Sequence, residues 1–161
     1  MKPEKILEFI HYVEALKDEL RHSWTSKDRH ESVAEHCWRM SIMAITLAPK
    51  LEKKIDLGKV LEMVAIHDLG EIVAGDVPAF DEKGKQEQQK IEKESMQKLK
   101  SQFPEITKLW EEAEELKTLE AKFVKALDKL EVRIQHNESK INRWNDIEFP
   151  RSQYVADEWC E

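Results

Sequence analysis

Four glycines and five prolines in 161 residues leave little turn chemistry for an extended sheet, while apolar residues recur at steps of three and four along most of the chain. This pattern predicts an all-α protein, a compact single-domain helical bundle. A chain of this length can bury roughly 70% of its unfolded surface, enough for one real core, so residues 1–161 are expected to form one domain. No internal repeat or low-complexity linker divides it.

Charged residues make up 37% of the chain and the net charge is -7, which excludes a nucleic-acid polymer as an expected partner. A small phosphorylated molecule is not excluded, because local charge can outweigh the global field. The two cysteines, Cys37 and Cys160, are too remote in sequence to suggest a disulfide framework and point to a reducing compartment. The first residues enter an amphipathic pattern without the apolar run of a signal peptide. The apolar-rich stretch 38–49 is too short to cross a bilayer. The expectation is a soluble cytoplasmic protein.

Pro3 suits a first helical turn, and Ile6, Ile10, Val13, Leu16 and Leu20 make one stripe, predicting a helix from residue 3 to about residue 20. Residues 21–31 read as a polar loop. Ser32-Val33-Ala34-Glu35 is a capping-box sequence that starts a second helix, with His36, Met40, Met43 and Leu47 on one face and Pro49 near its end. Asp56 can cap a third helix carrying Val60, Met63, Val64 and His67 on one side and ending near Gly70. Residues 84–100, anchored by Ile91, Met96 and Leu99, read as a solvated helix over the core. Pro104 opens a short helix with Ile106, Leu109 and Trp110. A longer helix over 119–136 has Phe123, Leu127, Leu130 and Ile134 in one stripe, with Val124, Asp128 and Val132 in the next.

Asp128 falls inside that wide apolar arc, where a lone carboxylate is costly unless paired or metal-bound. His36 and the dipeptide His67-Asp68 add two imidazoles and a second carboxylate, a donor set suited to a divalent cation such as manganese, iron, cobalt or zinc. The four residues lie on three different predicted helices, so tertiary packing must assemble the site. That favours a catalytic centre with room for water over a structural clamp.

These residues resemble the signature of the HD-domain metal-dependent phosphohydrolases: a histidine, a His-Asp pair and a distant aspartate. The likeness extends through Glu31-Ser32-Val33-Ala34-Glu35-His36, through His67-Asp68-Leu69-Gly70-Glu71-Ile72-Val73-Ala74-Gly75-Asp76, and through Glu120-Ala121-Lys122-Phe123-Val124-Lys125-Ala126-Leu127-Asp128-Lys129. Over about residues 5–140 it resembles the small 5'-deoxynucleotidase branch, with residues 141–161 expected as an extension packing on the domain. The resemblance implies one divalent metal ion (manganese, cobalt, magnesium, iron or zinc) held by His36, His67, Asp68 and Asp128. It implies Glu71 as the group handling the proton of the attacking water, and Asp76 as the contact to the deoxyribose. It implies Arg21 and Trp24 as contacts to the phosphate and sugar, although Arg21-His22-Ser23-Trp24 departs from the family's adjacent Arg-Trp and from Arg-x-Gly-Trp. It also implies a homodimer and a deoxyribonucleoside 5'-monophosphate as substrate.

Two other readings share these residues. The same site can serve deoxynucleoside triphosphates or other small phosphate esters, because the ligand set does not encode chain length. A non-catalytic, metal-containing nucleotide-binding module is the alternative of another class. Plainer roles also exist: the histidines can be hydrogen-bonded core residues, Glu71 and Asp76 can serve helix ends and turns, and Arg21 can neutralise a helix C-terminus. His11, His22, His30 and His136 read as solvated. The run 111–115 reads as a solvated acidic face, and Trp110, Trp144 and Trp159 as packing or subunit-contact residues.

Overall fold

The computed structural model describes residues 2–78 and 80–148; the readings of Trp159 and Cys160, and of chain packing over 149–161, lie outside them. Helix α1 spans Pro3–Val13 and tightens into a 3-10 turn, Glu14–Lys17. An antiparallel hairpin follows, β1 Leu20–Trp24 and β2 His30–Ser32. Then come α2 Val33–Leu47, α3 Leu57–Ile66, the short α4 Glu71–Ala74, α5 Glu82–Lys100, α6 Pro104–Glu115 and α7 Leu119–Glu138. The described residues are predominantly helical, in agreement with the sequence pattern.

Side chains set the helix starts. Ser32 Oγ accepts from the Glu35 amide at 3.3 Å while the Glu35 carboxylate accepts from the Ser32 amide at 3.0 Å, the expected capping box. Asp56 caps α3 through the Lys59 amide at 3.1 Å, Asp81 caps α5, and Thr118 caps α7. Helices α2, α3 and α7 pack on one another, and α6 closes against α3 and α7. Their shared core holds Met40, Ala44, Val60, Met63, Val64, Val124 and Leu127. A second cluster, Leu16, Val33, Leu69, Met96 and Trp110, joins the 3-10 turn to α2, α5 and α6.

Several sequence expectations change. Helix α1 stops at Val13 rather than near residue 20, and Ile6 and Ile10 of its stripe are about half exposed. The supposed loop over residues 21–31 is the hairpin. Its tip is closed by the Thr25 amide donating to the Arg29 carbonyl, with Asp28 in the left-handed region at φ 66°, a conformation Asp tolerates. Helix α3 ends at Ile66, and a separate turn carries the His67-Asp68 pair to α4. On α7 the buried positions are Ala121, Val124, Leu127, Glu131 and Gln135, whereas Leu130 lies exposed. Helix α5 is solvated on its outer face, but its inner face brings Gln88, Ser95 and Met96 into the interior.

The turn after α3 has no spare room. A Cβ on Gly70 would stand 2.6 Å from Glu92 Cγ and 3.1 Å from Glu92 Cα. Gly70→Ala is therefore expected to force α5 away from this turn and to cost about 1–3 kcal/mol, in the range of an overpacked core position. Urea denaturation of the variant against the parent measures it, and an unchanged midpoint would contradict the packing.

Candidate metal centre

Each predicted ligand sits next to a core residue, so packing holds its backbone in place. His36 lies one turn before Met40 on α2 and is fully buried. His67 and Asp68 leave the C-terminus of α3 just beyond Val64, and Asp128 follows Leu127 on α7. The structure brings all four together. His36 Nε2 is 3.4 Å from Asp128 Oδ1 and 3.9 Å from Asp68 Oδ2, while His67 Nε2 is 3.2 Å from Asp68 Oδ1. Ligating atoms of His36, His67 and Asp128 fall within 4.8 Å of one another. Donors spaced this way can share a cation, since bonds of about 2.0–2.2 Å reach a common centre between them.

The two imidazoles are oriented for that role. His67 Nδ1 donates to the Val64 carbonyl at 2.9 Å, and a carbonyl only accepts, so the neutral ring presents the lone pair of Nε2 inward. His36 Nδ1 faces Glu131 Oε2 at 2.5 Å. Both Nε2 atoms are buried without a hydrogen-bond partner. Orphaned nitrogens aimed at two carboxylates fit a divalent cation.

The surrounding charge is mostly negative. Burial opposes the charge of Arg21, but Asp68, Asp76, Glu71 and Asp128 outweigh it and raise its pKa. Its Nη1 lies 3.5 Å from both Asp68 Oδ2 and Asp76 Oδ1, and its Nε lies 3.7 Å from Glu31. Burial lowers the basicity of His36, yet the Asp128 and Glu131 carboxylates push its pKa up to about 10. This is a proton that a cation can replace. Burial likewise raises Asp128, but His36, Lys125 and His67 hold it well below the usual carboxylate range. Lys125 Nζ donates to Asp128 Oδ2 at 2.7 Å, leaving Oδ1 to face His36.

Glu71, on α4, is 5% exposed. Burial, reinforced by Asp68 and Asp76, pushes its carboxyl up to about 9. Gln88 of α5 donates from Nε2 to Glu71 Oε1 at 3.1 Å and to the Gly75 carbonyl at 2.8 Å. Gly75 takes φ 76°, a conformation costly for other residues, and so turns the chain to present Asp76 beside Arg21. Asp76 Oδ2 also accepts from the His22 amide at 3.1 Å.

Trp24 stands apart from this acidic group. Period-two alternation along β1 buries Arg21 and Ser23, and leaves His22 and Trp24 only partly buried. The indole meets the His30 ring at 4.0 Å and lies under the Arg143 guanidinium at 4.1 Å. Among the histidines read as solvated, only His11 is exposed. His30 bonds the Arg21 carbonyl, His22 faces Glu148, and His136 stacks on Trp144. Trp110 is a packing residue whose Nε1 donates to the His67 carbonyl at 3.1 Å. Cys37 is a free thiol beside His67 and Asp68, and burial first and Asp68 second raise its pKa well above the ordinary value.

Sequence reasoning missed Glu131, Gln88, Lys125 and Glu31. A signal existed for the first: Val124, Asp128, Glu131 and Gln135 follow three- and four-residue steps from one another. For Gln88 no local signal distinguishes it among the polar residues of α5.

Residues 13–158 match the family model of the HD domain, and this chain belongs to the HD-domain family. Among its relatives, human 5'-deoxynucleotidase HDDC2 is 32% identical over 140 residues, covering 83% of this chain and 67% of that protein. The Dictyostelium discoideum 5'-deoxynucleotidase HDDC2 is 35% identical over 141 residues, covering 80% and 74%. A structure described as a predicted metal-dependent phosphohydrolase from Magnetospirillum magnetotacticum superposes with a TM-score of 0.76 at 31% identity, covering 84% of this chain and 70% of its own. A conserved hypothetical protein from Pyrococcus furiosus gives 0.69 at 31% identity, covering 96% and 89%.

The buried acids set a pH dependence. Glu71 titrates near 9 and Glu31 near 7 in the folded chain, against an ordinary 4.5, because burial first and neighbouring carboxylates second disfavour their charge. Between the ordinary value and these raised ones the folded state holds protons that the unfolded state has released. Stability contributed by these groups is present at low pH and lost as pH rises through that window. The metal-free protein is therefore expected to lose stability from pH 5 to 9, and Glu71→Gln to flatten the upper part of the slope. Denaturant unfolding across pH checks both.

Proposed function

We propose that this chain is a metal-dependent phosphohydrolase that removes the 5'-phosphate from deoxyribonucleoside 5'-monophosphates. The observation that carries the reading is the pair of unpartnered Nε2 atoms of His36 and His67, facing Asp68 and Asp128 beside a buried Arg21 and a proton-holding Glu71. Support for the substrate comes from relatives named 5'-deoxynucleotidase in human, Dictyostelium discoideum and Schizosaccharomyces pombe.

In this proposal His36, His67, Asp68 and Asp128 hold one divalent cation; manganese, cobalt, magnesium, iron and zinc are the candidates. Such a cation supplies Lewis acidity toward a phosphate oxygen and acidifies bound water. Arg21 places a permanent planar charge against the non-bridging oxygens, between Asp68 and Asp76. Glu71 takes the proton of the attacking water or, in the protonated form its surroundings favour, donates to the departing 5'-oxygen. The bond from water oxygen to phosphorus forms and the bond to the 5'-oxygen breaks, giving deoxynucleoside and phosphate. Asp76 offers a carboxylate to the sugar, and Trp24, on the same strand as Arg21, is the proposed aromatic contact on the nucleoside side.

The proposed setting is the cytoplasm, as a single-domain homodimer. Among the described residues no helix is long and apolar enough to cross a membrane. Pairing with a second copy is supported by an exposed apolar ridge on α2, where Trp38 is 67% exposed with Ile42 and Ile45 one and two turns further. Light scattering on Trp38→Glu is expected to report a monomer where the parent reports a dimer.

Phosphate release from a panel of deoxy- and ribonucleotides with manganese, cobalt or magnesium tests the activity. Deoxynucleoside monophosphates are expected to be cleaved and chelator to stop turnover. Glu71→Gln is expected to lower kcat about 10²–10⁴-fold, the usual worth of a positioned acid or base. Asp68→Ala is expected to abolish turnover with the helical circular-dichroism signal retained. No release with any metal would sink the proposal, whereas triphosphate or pyrophosphate release from deoxynucleoside triphosphates would shift the substrate.

A further inference from the structure

The two site histidines are held in different ways. His67 Nδ1 meets a neutral backbone acceptor, the Val64 carbonyl, at 2.9 Å. His36 Nδ1 meets a side-chain carboxylate, Glu131 Oε2, at 2.5 Å, and both residues have no solvent exposure. Glu131 lies three residues beyond Asp128, so one turn of α7 supplies both a site carboxylate and the support of an imidazole that enters from α2.

A fully buried carboxylate is expensive and needs compensation. Among the described residues, His36 is the only hydrogen-bond partner of the Glu131 carboxylate. Its other oxygen, Oε1, has none, and Arg39 Nε stands 3.8 Å from that oxygen. Arg39 spends its Nη atoms on Gln135 and Glu138 instead. The geometry therefore gives the short hydrogen bond of Glu131 to the imidazole and leaves Arg39 as a longer ion pair without a hydrogen bond. An anionic acceptor on Nδ1–H fixes the tautomer, stops ring rotation and drives electron density toward Nε2, the atom facing Asp68 and Asp128.

We propose that Glu131 is a positioning residue that makes His36 the stronger of the two imidazole donors and sets the affinity of this site for its divalent cation. The inference rests on the metal reading above, with Glu131 touching neither substrate nor cation.

The test uses the full chain stripped with chelator and titrated with Mn²⁺ by calorimetry, with the Co²⁺ d–d spectrum as a second readout. Glu131→Gln keeps the shape and a hydrogen-bond acceptor but removes the charge. It is expected to bind Mn²⁺ about 10–100-fold more weakly, the usual cost of losing such a partner, with an altered Co²⁺ spectrum and a retained helical signal. Glu131→Asp keeps the charge at shorter reach and is expected to recover part of the affinity; it also decides the matter if the glutamine variant does not fold. A folded variant lacking the charge or its reach that binds Mn²⁺ as tightly as the parent, with the same Co²⁺ spectrum, overturns the role of Glu131. Failure of the parent itself to take up either ion overturns the metal reading, and this inference with it.

Discussion

Asp68, Asp76, Glu71 and Asp128 surround the buried guanidinium of Arg21, and that charge alone does not balance four carboxyl groups in an interior of low dielectric. The protein meets this constraint by separate routes. Arg21 sits between Asp68 and Asp76, Lys125 takes one oxygen of Asp128, and Glu71 keeps its proton. The unpartnered Nε2 atoms of His36 and His67 mark a region where these routes leave the charge balance open to a cation.

The architecture follows from holding those charges at fixed separations. Core residues Met40, Val64 and Leu127 lock α2, α3 and α7 together next to the four proposed ligands. Arg21 arrives on a strand rather than a helix. The hairpin projects its side chain inward while the Glu19 carbonyl accepts from the Val33 amide at the entrance to α2. The segment 67–76 carries two of the proposed ligands, the carboxyl proposed to handle the proton and the carboxylate proposed to meet the sugar. Contact with α5, through Glu92 at Gly70 and Gln88 at Glu71 and Gly75, keeps that segment from relaxing away from the acids it carries.

Much of this was legible in the chain. The Ser32 capping box, the Asp56 cap and the inward face of His36 depend on spacings within one element, and they appear as read. The assembly of His36, His67, Asp68 and Asp128 was legible because a carboxylate inside an apolar arc demands a partner. The hairpin was not, because Leu20-Arg21-His22-Ser23-Trp24 has no strong alternation and its pairing with His30 to Ser32 is tertiary. Glu131 was obscured by Leu130 and Ile134, whose hydrophobicity suggested a different buried face, while packing against α2 chose the face that puts charge against His36. Gln88 was hidden for the same reason: only the docking of α5 distinguishes it from its polar neighbours.

The same charge balance bears on which molecules the proposed site admits. A phosphate adds negative charge to a place already rich in it, and two unit charges 4 Å apart repel by about 4 kcal/mol at an effective dielectric constant of 20. With Arg21 already shared between Asp68 and Asp76, productive binding of an anion requires the added positive charge of a cation beside His36 and His67. That field is local. Away from it, a chain of net charge -7 offers little to hold further phosphates. A single phosphoryl group at the end of a small nucleoside lies wholly within that local attraction, which agrees with a monophosphate as substrate.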